Sequence, residues 1–216
     1  MADLSQFQHP RFARMYERMS AESERRGTAK YRDRMLAGLT GRVIEIGAGN
    51  GMNFSHYPGT VTEVVAVEPE SYLRSLAERA AENAPVRVTV VAGHATALPV
   101  EDDAFDAAVA SLVLCSISDT HAALSEIRRV LKPTGQLRFF EHVRSNKPWF
   151  ALLQDAITPL QSRLGGGCHP NRDTAAAIRA AGFEIDELDR FYYAPLRFYP
   201  AHAHIVGRAR PVPAPQ

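Results

Sequence analysis

Cysteine is scarce in this 216-residue sequence, which holds only Cys115 and Cys168. Two thiols make no disulfide framework. Cys168-His169 lacks the second CxxC or HxxxH half of a zinc motif, so spacing alone yields no metal site. No apolar run reaches the roughly 18 residues of a membrane span. The opening MADLSQFQHPRFARMYERM has neither the basic start nor the apolar core of a secretory leader. A reduced, cytoplasmic setting is the expectation. Neither sign of charge prevails: 25 Lys and Arg meet 24 Asp and Glu, a net charge of +1. That balance lacks the basic footprint of a nucleic-acid binder. What is left, at 45% hydrophobic, suits one globular domain with a small cap.

Residues 1–40 are polar, with Phe7, Phe12, Met15, Tyr16 and Met19 at helical spacing. They predict one or two amphipathic helices, a cap that ends at Gly41. Beyond it, short β-rich runs alternate with helical ones. Arg42–Ile46, Thr62–Glu68, Val86–Val91, Asp106–Leu114 and Gln136–His142 read as strands. Helices are expected over Tyr72–Asn83 and after Asp119, a residue suited to an N-cap. Pro133-Thr134-Gly135 reads as a turn. The alternation implies an α/β, doubly wound, mainly parallel sheet with helices on both faces. Residues 145–172 form an insertion, with a helix kinked or broken at Pro159. Thr174–Ala181 is a helix closed by Gly182. Phe183–Tyr193 and Ala203–Arg208 complete a domain spanning 41–210, and the proline-rich 211–216 reads as an unstructured tail.

The sharpest motif is Glu45-Ile46-Gly47-Ala48-Gly49-Asn50-Gly51, directly after the first strand. Such a loop turns tightly and lets a ligand approach the backbone at the carboxyl end of the sheet, and a helix is expected to follow it. Glu68 ends the second strand, where a carboxylate can accept from both hydroxyls of a ribose. Met52 breaks the GxGxxG dinucleotide pattern. The loop therefore points to a nucleoside without phosphates and against a nicotinamide dehydrogenase.

Residues 42–142 resemble the core of a class I S-adenosylmethionine-dependent methyltransferase. IEIGAGNG matches that family's first motif and Glu68 its ribose acid. Gly93–Pro99 matches the segment near the adenine, with His94 standing where that segment usually has an acid. The resemblance implies a Rossmann-like seven-stranded sheet whose last strand is antiparallel. It implies S-adenosylmethionine as cofactor, S-adenosylhomocysteine as its product, and contacts from Glu45, Gly47, Ala48, Gly49, Asn53, Glu68, Pro69, His94, Ala95, Ser111 and Leu112. A narrower resemblance runs through NFSHYP, SLVLCSI, FFEHV, GCHPNRDT, AGF and HIVG, in that order. Together they look like the thiol S-methyltransferase-like family. Animal members of that family carry an N-terminal membrane anchor, and none is read here.

A thiol has a pKa of about 8.5 and attacks as thiolate, so a thiol acceptor needs only a mild base. His142, at the end of the fifth strand, is the first candidate for that base. His204 is the second, with His202 on its face. Glu141 is expected on the opposite face from His142. Cys115 reads as a small buried residue. Trp149, Phe150, Phe191, Tyr192, Tyr193, Phe198 and Tyr199 either line an apolar acceptor site or form a satellite core. Arg144, Lys147, Arg172 and Arg197 read mainly as solvated charges. The expected reaction is methylation of a small apolar thiol in secondary metabolism or detoxification. O- or N-methylation of a small molecule or lipid head group, and a non-catalytic cofactor-binding scaffold, are the alternatives.

Overall fold

A computed structural model describes residues 3–194 and 201–212. Arg197, Phe198, Tyr199 and the end of the tail from Pro213 lie outside the described residues. The N-terminal cap holds α1 (Pro10–Ser23) and α2 (Ala29–Leu36), joined by a wide turn at Gly27. There follow β1 (Gly41–Ile46), β2 (Val61–Val67), α3 (Ser71–Ala81), β3 (Val88–Val91), β4 (Phe105–Ser111), α4 (Thr120–Val130) and β5 (Leu131–His142). The chain closes with α5 (Pro148–Leu164), α6 (Thr174–Ala180), β6 (Phe183–Tyr193) and β7 (His202–Pro211).

The strands form one sheet in the order β3-β2-β1-β4-β5-β7-β6. Pairs from β3 to β5 are parallel, and β7 runs antiparallel to both β5 and β6. This is the doubly wound, seven-stranded arrangement that the alternation implied. The central strands are apolar on both sides because both sides are covered. Ile44, Ile46, Ala108 and Ala110 pack under α4 and α6, against Leu124, Ile127 and Ile178. Val43, Val64, Ala107 and Val109 pack on the other face, against Met35, Leu36 and Ala77 of α2 and α3. Asp119 caps α4 as expected, and Glu70 and Asp173 cap α3 and α6 in the same way.

Five local expectations are corrected. The β1–β2 crossover carries no α-helix, only a single 3-10 turn at Phe54–His56; α2 covers that face instead. β4 stops at Ser111, because Leu112 takes a left-handed φ of 56°. Pro133-Thr134-Gly135 is a bulge inside β5, whose register jumps from Phe105–Leu131 to Ala107–Gln136. α5 continues through Pro159 without a break. Finally, the start of the tail is ordered: Pro211 ends β7, and the Val212 amide donates to the Gly182 carbonyl at 2.9 Å.

Gly207 explains the glycine of the HIVG segment. A Cβ there would press into the Glu187 carbonyl of β6 and lie 2.7 Å from Phe139 Cζ of β5. Gly207→Ala is therefore expected to lower stability by about 1–3 kcal/mol through overpacking. Urea unfolding followed by circular dichroism checks this.

Candidate active site

The glycine loop sits at the carboxyl end of β1, and its bends need left-handed backbone. φ is 66° at Gly47, 57° at Gly49 and 80° at Gly51. A Cβ on Gly47 would run into Val113 Cγ2. The loop amides are largely taken within the protein. Gly47 and Ala48 donate to the Val67 carbonyl, Gly51 to the Ala48 carbonyl, and Gly49 to Glu68 Oε2 at 2.8 Å. Few are left to cradle a phosphate, in keeping with the missing GxGxxG. Glu68 is turned inward and buried. Its Oε1 accepts from the Glu70 amide at 2.9 Å. A carboxylate has about four lone-pair sites, so two stay open for ribose hydroxyls. Burial pushes the Glu68 carboxyl up to about 7, against the pull of the Glu70 and Gly49 amides.

The N-terminal segment roofs this loop. Phe7 stacks on His94 with ring centroids 5.2 Å apart. Gln8 bridges the Pro69 carbonyl and the Ser71 amide at 2.9 and 3.0 Å. The Tyr16 ring lies over Gly49, and Tyr72 donates to Glu17 Oε2 at 2.8 Å. Asn50 Nδ2 donates to Ser20 Oγ at 3.0 Å, while Asn50 Oδ1 is buried with no partner. An orphaned acceptor on a loop of this kind fits a ligand that brings its own N–H or O–H donors.

Glu45 and Asn53 are buried and bonded to each other beside the loop. Glu45 accepts from Asn53 Nδ2 at 2.8 Å and from the Tyr57 hydroxyl at 2.7 Å. Arg32 Nη1 donates to Asn53 Oδ1 at 2.6 Å and to Ser111 Oγ at 3.4 Å. Strand alternation points Glu45 to the α2 face together with Val43. Burial pushes its carboxyl up to about 7.

A cavity of about 530 Å³ opens beside the loop. Phe12, Met15, Tyr16 and Met19 of α1 form one wall and Leu160 and Leu164 of α5 another. Leu112, Phe140, His142, Cys168, His202 and His204 form the floor. His142 is where a base is expected. Burial opposes its charge, but the contact with Cys115 and the nearby Glu141 outweigh it, and its pKa rises. His204 lines the cavity too, but burial and the neighbouring His142 push its pKa far down. Burial brings His202 down to about 4. Glu141 faces away from His142, as expected, and takes the amides of Val113, Leu114 and Cys115 at 2.9, 2.8 and 3.1 Å. The aromatic set divides: Phe191 stacks on Tyr31 at 4.0 Å and Tyr192 bonds Ser145, whereas Tyr193 reaches the cavity. Cys115 is buried as expected.

Residues 44–139 match a methyltransferase domain family. Thiol S-methyltransferase TMT1B of Rattus norvegicus is 34% identical over 91% of this chain and 81% of its own. Thiol S-methyltransferase TMT1A of Homo sapiens is 31% identical over 92% and 82%. The chain belongs to the class I S-adenosylmethionine-dependent methyltransferases, in the family of these thiol S-methyltransferases. The crystal structure of a protein from Bacillus halodurans shares the fold, with a TM-score of 0.70 at 17% identity over 86% of this chain and 99% of that one. The cofactor is S-adenosylmethionine. Among the described residues, no helix is long and apolar enough to cross a membrane.

Sequence reasoning placed Tyr16 on the apolar face of a cap helix and Asn50 in the glycine motif, but it missed Ser20 and Arg32, since nothing in the spacing tied Ser20 to Asn50 or Arg32 to Asn53. Ala95 packs against the core. Ser111 ends β4, and Leu112, just past it, lines the cavity.

A carboxylate that takes ribose hydroxyls binds them best in its ionised form, and Glu68 is proposed for that role. As pH falls below about 7, affinity for S-adenosylhomocysteine is expected to drop, approaching tenfold per pH unit. Glu68→Gln is expected to bind at least about tenfold more weakly and to show a flat profile. Calorimetric titration of both proteins across that range checks the sign and the slope.

Proposed function

We propose that this protein methylates the thiol of a small apolar molecule, within secondary metabolism or detoxification. The observation that carries the reading is the apolar cavity that runs from Leu112, beside the cofactor loop, to His142. The cofactor supplies an electrophilic methyl group on a sulfonium. Gly47, Ala48, Gly49, Asn50 and Glu68 are the residues suited to hold it, with Pro69, His94 and Ala95 bordering the adenine side. The cap over residues 1–40 and the insertion over 145–172 then cover the acceptor. Phe12, Met15, Met19, Leu160 and Leu164 exclude water and favour an apolar body. Alignment of sulfur with methyl carbon supplies much of the rate, since orientation alone is worth about 7–11 kcal/mol in favourable cases. His142 sits where the acceptor sulfur must lose its proton. The same reading puts the reaction in a reducing cytoplasm, where Cys115 and Cys168 stay thiols. The names of the relatives support a thiol over an oxygen or nitrogen acceptor.

Radiolabelled methyl transfer to matched aryl and alkyl thiols, phenols and amines tests this. Methyl thioethers are the expected products, with alkyl thiols at least about tenfold faster than phenols, given the lower pKa of the thiol. Faster transfer to oxygen or nitrogen contradicts the reading.

A further inference from the structure

Three residues distant in sequence meet at the cavity floor. Cys115 lies in the loop after β4, His142 ends β5, and Cys168 follows the glycine run behind α5. Cys115 Sγ is 3.6 Å from Cys168 Sγ and 3.6 Å from His142 Nδ1. Cys168 Sγ is 3.7 Å from the same nitrogen. All three atoms lie within 4.8 Å of one another. A tetrahedral zinc ion, with Zn–S near 2.3 Å and Zn–N near 2.05 Å, sets S···S edges of about 3.8 Å and S···N edges of about 3.6 Å. The triangle has the size of one face of such a tetrahedron. As hydrogen bonds among thiols and an imidazole the same contacts are weak.

We propose that Cys115, His142 and Cys168 bind one zinc ion, with its fourth position open to the cavity. His142 and Cys168 line that cavity, and Cys115 lies buried behind them. The ligands are held in advance, as a metal site requires. Glu141 fixes the Cys115 amide, and the His169 amide donates to the Cys115 carbonyl at 2.8 Å. Arg172 Nη1 donates to the Leu114 and Ile117 carbonyls on either side. Gly167, with φ of 85°, lets the Cys168 loop approach: a Cβ there would stand 2.8 Å from the Ser116 carbonyl oxygen.

The role of the fourth position rests on the thiol reading above. An acceptor RSH binds zinc through sulfur and releases its proton to solvent. A lone pair of the bound thiolate forms the new bond to the methyl carbon. The bond from that carbon to the sulfonium breaks, and its electron pair stays on the departing sulfur, leaving two neutral thioethers. A thioether is a poor zinc ligand, so product leaves. In this arrangement the metal takes over the lowering of the thiol pKa, and His142 acts as a ligand.

The test is metal binding by the full chain. Reduced protein stripped by a chelator is titrated with zinc sulfate, and elemental analysis counts the bound metal. One zinc per chain is expected. Cobalt(II) in its place is expected to give a thiolate-to-metal charge-transfer band that changes when 2-mercaptoethanol is added. Cys168→Ser, at a part-exposed site, is expected to keep its melting curve and lose more than about a hundredfold in zinc affinity, since even outer-shell changes cost up to that much. The proposal is overturned if wild type binds no more zinc than the Cys115→Ser/Cys168→Ser double variant. It is also overturned if the freshly isolated protein carries a Cys115–Cys168 disulfide and binds none once reduced. Full thiol methylation by the zinc-free protein overturns the role of the fourth position. Stoichiometric zinc without any thiol methylation overturns the acceptor assignment and leaves the metal site standing.

Discussion

The Glu141 carboxylate is the constraint on which the site depends. It is fully buried, and three successive backbone amides, those of Val113, Leu114 and Cys115, point into it. That grip turns the chain sharply after β4 and holds Leu112 in the left-handed region, a conformation that costs a non-glycine residue about 1–3 kcal/mol. The Leu112 amide then closes on the Phe140 carbonyl of β5. The result is a rigid corner where the cofactor loop, the cavity and the three-residue cluster meet. Burial and the adjacent Cys115 push the Glu141 carboxyl well up, and the three amides oppose them. Arg172 and the His169 amide brace the same corner through the Leu114, Cys115 and Ile117 carbonyls.

A second network ties the cap to the sheet. Arg32 reaches from α2 to Asn53 and Ser111, and Asn53 passes the connection to Glu45. Glu24 accepts from Arg32 Nε at 3.0 Å and meets His56 at 3.0 Å. The cap is therefore part of the site and not an appendage. Tyr16 lies against Gly49, and Phe7 stacks on His94. Their contacts with the loop are single hydrogen bonds and ring stacks, each worth about 0.5–1.5 kcal/mol.

The sheet was legible because strand and helix periods are local. Val, Ile and Ala runs ended in glycine or proline, and the crossovers left one hand and one class of fold. Glu68 and the glycines were legible for the same reason, being an acid and a loop fixed to strand ends. Leu112 was not: nothing in SLVLCSI marks the residue that must leave the strand. Glu45 and Asn53 were singled out by the motif they sit in, and their ties to Tyr57 and Arg32 were not legible from it. The Cys115, His142 and Cys168 cluster was invisible to spacing, since 27 and 26 residues separate its successive members and no short motif joins them. Only the crossing of β4, β5 and the glycine run brings them together.

A crystal structure with S-adenosylhomocysteine and a bulky apolar thiol bound tests the central claim most directly. The account places the ribose on Glu68 beneath α1. It places the acceptor sulfur at the end of the cavity floored by Cys115, His142 and Cys168, facing the homocysteine sulfur. A ribose held away from Glu68, or an acceptor sulfur at the Leu160–Leu164 mouth with the cluster untouched, contradicts it.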